Sequence, residues 1–185
     1  MKKDKTISYF KNLSDLILNL DSVKISELAS IIKKNQKSKK QIFICGNGGS
    51  SANAEHITND LMLGMNSEKM GYRFLSLNSN SAKITCIAND LGYEKIFSHQ
   101  LKIIGDKGDL LIVLSGSGNS KNIVEAIKQA RKQKILTFGL IGYDGGLCKK
   151  ICDKHIHFKS YDMQICEDLQ MIVMNQVMKI LKISF

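Results

Sequence analysis

The sequence predicts an α/β fold, a three-layer sandwich in which helices cover both faces of a five-stranded parallel sheet. Three observations predict it. Short, almost wholly apolar runs alternate with segments of helical periodicity. Two of these runs end directly in glycine- and serine-rich loops that open helices, at 46–50 and 115–120. Proline is absent, so glycine makes the turns.

The elements follow in order. Residues 1–36 read as two helices. Ile7, Phe10, Leu13, Leu16, Ile17 and Leu20 recur at steps of three and four, and Val23, Ile25, Leu28, Ile31 and Ile32 form a second stripe. Asp21-Ser22 between them is a helix start. Residues 41–45, 73–77, 109–114, 136–141 and 155–158 are the strands. Helices are expected at 51–65, 82–89, 93–103, 121–132, 147–152 and 163–181. Strands joined through helices imply right-handed crossovers and a parallel sheet, and continuous apolar strands imply burial on both faces. The helices outside this rhythm, two at the N-terminus and one at the C-terminus, either cover a sheet face or build a bundle between subunits. The last of them carries Leu169, Ile172, Val173, Val177, Ile180 and Leu181 on one stripe. No linker or repeat divides the chain, so residues 1–185 are expected to form one domain, with 1–36 as N-terminal helices and 41–185 as the core.

Composition narrows the function classes. The chain has 185 residues, 43% hydrophobic, with a net charge of +10. Almost all of the positive charge is lysine; Arg73 and Arg131 are the only arginines. With few Arg forks, no Trp and few aromatic rings for base stacking, the composition argues against a nucleic-acid reader. The run Lys33, Lys34, Lys37, Lys39, Lys40 is either a solvated helix end or a patch that attracts anions. The five cysteines, Cys45, Cys86, Cys148, Cys152 and Cys166, are odd in number and form no CxxC pair, as expected of reduced thiols in the cytoplasm. No segment reads as a signal peptide or a membrane span.

The chemistry lies in the two loops. Gly46-Asn47-Gly48-Gly49-Ser50 follows the first strand and opens a helix. Glycine lets backbone N–H groups approach a ligand, and the helix N-terminus favours negative charge. The spacing is neither the dinucleotide fingerprint nor a Walker loop, which argues against a nucleotide cofactor. Ser115-Gly116-Ser117-Gly118-Asn119-Ser120 follows the third strand and offers three hydroxyls and several amides. One such loop is as readily a capped turn as a site. Two, both at carboxyl ends of strands, point to a phosphate-bearing ligand, because open α/β sheets bind ligands there.

These residues resemble the sugar isomerase (SIS) domain family, and most of all its phosphoheptose isomerases. The resemblance runs from about Gln41 to the last helix. It rests on Gly46–Ser50 with Ala54-Glu55-His56, on Ala88-Asn89-Asp90-Leu91-Gly92-Tyr93, on Ser115–Ser120, and on Gly142-Tyr143-Asp144-Gly145-Gly146. It implies a flavodoxin-like sheet and a homotetramer, with N- and C-terminal helices in a central bundle and active sites at subunit interfaces. It further implies that Ser115, Gly116, Ser117 and Ser120 hold a sugar's phosphate, that Asn47, Gly48, Gly49 and Ser50 contact the substrate, and that Asn89 and Asp90 lie near sugar hydroxyls. His99 stands where the family often has Arg, as a weaker phosphate partner.

Aldose–ketose isomerisation needs a base and a polarising group. The resemblance supplies them as His56, Asp60 and Glu167. Here Asp60 stands where the family has Glu, and Asn175 where it has His. Some members bind zinc through this set, so the resemblance also implies zinc on His56, Asp60 and Glu167. The expected function is isomerisation of sedoheptulose 7-phosphate in heptose supply for lipopolysaccharide or capsule. The alternative is a non-catalytic member, either a partner of the replication initiator or a phosphosugar sensor. His155 and His157 share one side of the fifth strand, where a structural role is expected.

Overall fold

The computed structural model describes residues 2–63 and 71–183. Five strands, β1 (Ile42–Cys45), β2 (Phe74–Ser76), β3 (Leu110–Ser115), β4 (Leu136–Ile141) and β5 (Lys154–His157), form one sheet in the order β2-β1-β3-β4-β5. Every neighbouring pair is parallel. Each of the five expected strands is present. The helices are α1 (Lys2–Leu18), α2 (Ser22–Lys37), α3 (Gly49–Met62), α4 (Ser81–Leu91), α5 (Ser98–Ile104), α6 (Lys121–Lys132), α7 (Gly146–Ile151) and α8 (Met163–Ile183).

Alternation along the strands splits the core in two. Ile42 and Ile44 of β1, and Leu110, Ile112 and Leu114 of β3, face α2, α3 and α8. Phe43, Cys45, Leu111 and Val113 face α4, α5, α6 and α7. All nine are fully buried. Each large side chain among them contributes about 1.5–3 kcal/mol over the exposed state. The two faces are why these strands read as unbroken apolar runs rather than as alternating ones.

Local chemistry sets the helix ends. Asp21 accepts from the N–H groups of Val23 and Lys24, both at 3.1 Å, and so starts α2 where the sequence predicts. Tyr9 of α1 donates to Asp168 of α8, which ties the first helix to the last. That bond pushes the Tyr9 phenol up to about 12. The helix expected at 93–103 is instead a 3-10 turn, Tyr93–Lys95, followed by α5. The chain bends there to bury Ile96 and Phe97 together, and Gln100 donates to the carbonyls of Leu77 and Ile96 across the bend. The last residues of the expected 51–65 helix, from 64 on, lie outside the described residues. All five cysteines are free.

The sheet order decides where a ligand can bind. From β1 the chain crosses to β2 on one side, and from β3 to β4 on the other. The connections after β1 and β3 therefore part, and a crevice opens between them at the carboxyl ends.

Candidate active site

Both glycine- and serine-rich loops meet in this crevice, a cleft of about 280 Å³ lined by Asn47, Gly48, Gly49 and Ser50 from the first, Ser115, Gly116, Ser117 and Ser120 from the second, and Met163 and Glu167 from α8. Eight residues expected to bind substrate, together with Glu167, thus line one space.

The second loop is braced so that its donors remain available. Ser115 Oγ accepts from the Gly118 N–H at 3.0 Å, and Ser117 Oγ accepts from the Asn119 N–H at 3.3 Å. Each hydroxyl uses its oxygen in the loop and keeps its hydrogen for an acceptor in the cleft. Ser120 occupies the N-cap position of α6 but makes no side-chain cap bond. Gly118 has φ +66°, and a Cβ there would stand 2.2 Å from the Gly145 carbonyl oxygen. The 142–146 turn is therefore the wall against which the loop is moulded. Leu147 N–H donates to Asn119 Oδ1 and Cys148 N–H to the Gly118 carbonyl, completing that contact.

Two helix N-termini, those of α3 and α6, end at the cleft, and each favours an anion. The first already holds one. Glu167 Oε1 accepts from the Ser50 N–H at 3.1 Å. Gly49 makes room for it, since a Cβ there would lie 2.2 Å from Glu167 Oε2. A polar seam fixes the helix that carries Glu167: Asn53 donates to the Glu167 carbonyl at 3.0 Å and to Gln170 Oε1 at 3.1 Å, and Gln170 donates to Ser50 Oγ at 3.1 Å. Gln170 is fully buried. With α3 occupied, the open anion seat is the N-terminus of α6 with Ser115, Ser117 and Ser120.

His56 and Asp60 are not brought into this cleft within one chain. His56 Nε2 lies 3.2 Å from Asp60 Oδ2 on the outer part of α3, with side chains 60% and 35% exposed. Ser50 and His56 are six residues apart on the helix, about 9 Å along its axis. Glu167 is bound at the Ser50 end. The three expected metal ligands thus divide into a pair and a single carboxylate, and no group of three or more metal-ligating side chains gathers among the described residues. Within one chain this donor set does not fit zinc. Asn175 is exposed on α8. Asn89 donates to Asp90 at 2.7 Å near the end of α4, and neither lines the cleft. His99 lies with Lys95 and Lys102 in a separate groove between α5 and α6. His157 packs structurally, between Lys149 Nζ on Nδ1 at 3.2 Å and the Tyr143 carbonyl on Nε2 at 2.9 Å.

Three residues of the site carry no sequence signal of their own, Asn53 and Gln170 in the seam and Asn122 beside Asn47; Tyr93, also on Asn47, stands in the 88–93 motif, which does not mark it for this contact. The three are single polar residues in helices. Only the buried position of Asn122 on an otherwise apolar helix face hints at a role.

Comparison with known proteins agrees with this fold. The family model "SIS domain" matches residues 8–142. Phosphoheptose isomerase 1 of Campylobacter jejuni is 34% identical over 170 residues, 91% of this chain and 89% of the relative. The phosphoheptose isomerase of Campylobacter concisus is 35% identical over 162 residues, 88% of this chain and 85% of the relative. Among solved structures, a phosphoheptose isomerase from Francisella tularensis superposes with a TM-score of 0.92 at 24% identity, covering 98% of both chains.

Proposed function

The chain belongs to the SIS domain family, and from that premise we propose that it is an aldose–ketose isomerase that converts sedoheptulose 7-phosphate to glycero-manno-heptose 7-phosphate. The observation that carries the reading is the placing of one carboxylate, Glu167, in the same cleft as a neutral phosphate cradle. The whole chain acts as one SIS domain in this reading.

The phosphate sits at the N-terminus of α6. The hydroxyls of Ser115, Ser117 and Ser120 donate to its oxygens, and the helix dipole favours its charge without a lysine in the loop. The sugar then extends along the first loop, where Asn47 and the Gly48–Ser50 backbone contact its hydroxyls. Glu167 takes a proton from carbon 1 of the ketose and returns it to carbon 2 of the enediol, so that the carbonyl moves from carbon 2 to carbon 1. No step is routed through a metal.

Transfer of the hydroxyl proton needs a second group. We assign it to the His56–Asp60 pair of another subunit in a homotetramer, with Asn89 and Asp90 near the sugar hydroxyls. Exposed apolar side chains on α1, Ile7 and Phe10, support helix-to-helix burial between subunits. The enzyme works in the cytoplasm and supplies heptose for lipopolysaccharide or capsule. No described helix is long and apolar enough to cross a membrane.

The test is sedoheptulose 7-phosphate in deuterated water, followed by NMR. Deuterium at carbon 2 of a new aldose phosphate, lost in Glu167→Gln, is the expected result. Binding without exchange would replace the enzyme by a phosphosugar sensor. Exchange that survives Glu167→Gln would remove Glu167 as the base.

A further inference from the structure

We propose that Asn122 and Tyr93 are positioning residues that hold Asn47 in one orientation, at a fixed distance from the phosphate cradle, and so set which length of sugar phosphate reacts.

The geometry is a closed set of amide contacts. Asn47 Nδ2 donates to Asn122 Oδ1 at 2.9 Å, and Asn122 Nδ2 donates back to Asn47 Oδ1 at 2.7 Å. The Tyr93 hydroxyl also donates to Asn47 Oδ1, at 3.1 Å. Asn122 Oδ1 further accepts from the Ile123 N–H of its own helix at 3.0 Å. Asn122 is only 2% exposed.

Counting donors and acceptors shows what this does. A side-chain amide oxygen has two lone pairs and its nitrogen two hydrogens. Both lone pairs of Asn47 Oδ1 are taken, and one hydrogen of its Nδ2. A single amide hydrogen is left for a ligand in the cleft that Asn47 lines. The orientation is not free to reverse. Turning Asn47 alone would set N–H₂ against N–H₂ of Asn122. Turning both would aim Asn122 Nδ2 at the Ile123 N–H, donor against donor. The backbone of α6 thus orients Asn122, and Asn122 orients Asn47.

The same helix caps the phosphate cradle, because Ser120 lies two residues before Asn122. One rigid element therefore carries the phosphate seat and, through Asn122, the loop that reads the sugar. The separation between the two is built into α6 rather than left to a flexible loop. A ligand whose hydroxyls stand at the right number of carbons from its phosphate meets the Asn47 hydrogen, and a shorter one does not. This rests on the isomerase reading for its substrate class.

The test compares wild type with Tyr93→Phe and Asn122→Ala. It measures kcat and KM for sedoheptulose 7-phosphate and for five- and six-carbon ketose phosphates, inhibition by inorganic phosphate, and Tm. Tyr93 is mostly exposed, so Tyr93→Phe removes one hydrogen bond and leaves the fold intact. Its kcat/KM for the seven-carbon substrate is expected to fall about 3- to 10-fold, and that of Asn122→Ala about 10- to 100-fold. Inhibition by inorganic phosphate should change less than about twofold, and preference for seven carbons should shrink. An equal loss for phosphate and for every sugar, or an unchanged preference, would overturn the proposal. If the wild type turns over none of these sugars, the substrate reading fails by itself. The clasp is then read from the side-chain amide signal of Asn47 by nitrogen-15 NMR. Protection of that amide that is lost in both variants supports it, and protection that persists in both overturns it.

Discussion

Replacing Gly49 by alanine separates the fit of Glu167 from the stability of α3. The added methyl would lie 2.2 Å from one carboxylate oxygen of Glu167 and 2.6 Å from the other. A flexible carboxylate gives way before a helix backbone does, so Glu167 leaves its seat and the bond to the Ser50 N–H breaks. A hydrogen bond to a charged group contributes about 1.5–3 kcal/mol. Against this, alanine in place of glycine in a helix gains up to about 1 kcal/mol. The net loss is about 0.5–3 kcal/mol, or about 1–12 °C in Tm for a chain of this size. With Glu167 as the proposed base, activity should fall far more, about 100-fold or beyond, because a base displaced by about an ångström loses its alignment. The decisive assay is a double-mutant cycle by thermal or urea unfolding. In a Glu167→Ala background no carboxylate is left to displace, so Gly49→Ala should turn from destabilising to neutral or stabilising, with a coupling of about 1.5–3 kcal/mol. The same destabilisation in both backgrounds would show that Gly49 is not kept small by Glu167, and the account of the carboxylate's seat would fall with it.

Three further outcomes follow from the structure. With both hydroxyls as proposed donors to phosphate, Ser117→Ala and Ser120→Ala should each raise the KM for a sugar phosphate about 5- to 50-fold; a melting curve beside the kinetics should show Tm nearly unchanged in Ser120→Ala, which has no cap bond to lose, and slightly lowered in Ser117→Ala, which loses the bond from the Asn119 N–H. Gly118→Ala should both destabilise, by at least about 1–2 kcal/mol from the left-handed backbone alone, and weaken inhibition by inorganic phosphate, because its Cβ meets the Gly145 carbonyl. Glu125 is held down to about 2 from an ordinary 4.5, chiefly by its hydrogen bond from Lys95 and then by that from Lys128. The stability it contributes is therefore complete above about pH 4.5 and lost as pH falls toward about 2. Glu125→Gln should flatten that acid limb in a series of Tm measurements, and an unchanged slope would contradict the pairing.

The fold was legible because its signals are local. Strands buried on both faces, such as β1 and β3, draw apolar residues at nearly every position, and the loops need glycine where a Cβ would strike a neighbour, as at Gly49 against Glu167 and Gly118 against the Gly145 carbonyl. The range of α6 matches its expectation at both ends, since Ser120 opens it and its buried stripe is regular. The site was legible only in part. Motifs marked the two loops because several required residues lie side by side. The seat of Glu167 depends on Ser50, which is 117 positions away in sequence, and no periodicity reports such a contact. The pairing of Asn47 with Asn122 is of the same kind, across 75 positions. His56 and Asp60 show the reverse limit. Their spacing placed them on one face of α3, and that was right, but it could not say that the face lies outside the cleft of its own chain. The bend at Ile96–Phe97 was missed because two adjacent apolar residues fit a continuous helix as well as a broken one.

The parts of the site leave the ribosome one after another rather than together. Both loops are complete once residue 120 has been made, and the wall that moulds the second is complete by residue 146. Glu167 comes later, on a helix whose Leu169, Val173 and Val177 have no exposed surface in the folded chain. At about 5–20 residues per second, a nascent chain passes through an interval in which the phosphate seat has been synthesised and the carboxylate has not. A chain released early, before α8, would carry both loops without Glu167 and would leave the apolar face that α8 covers open. The helix that carries Glu167 therefore also closes the core on that face of the sheet.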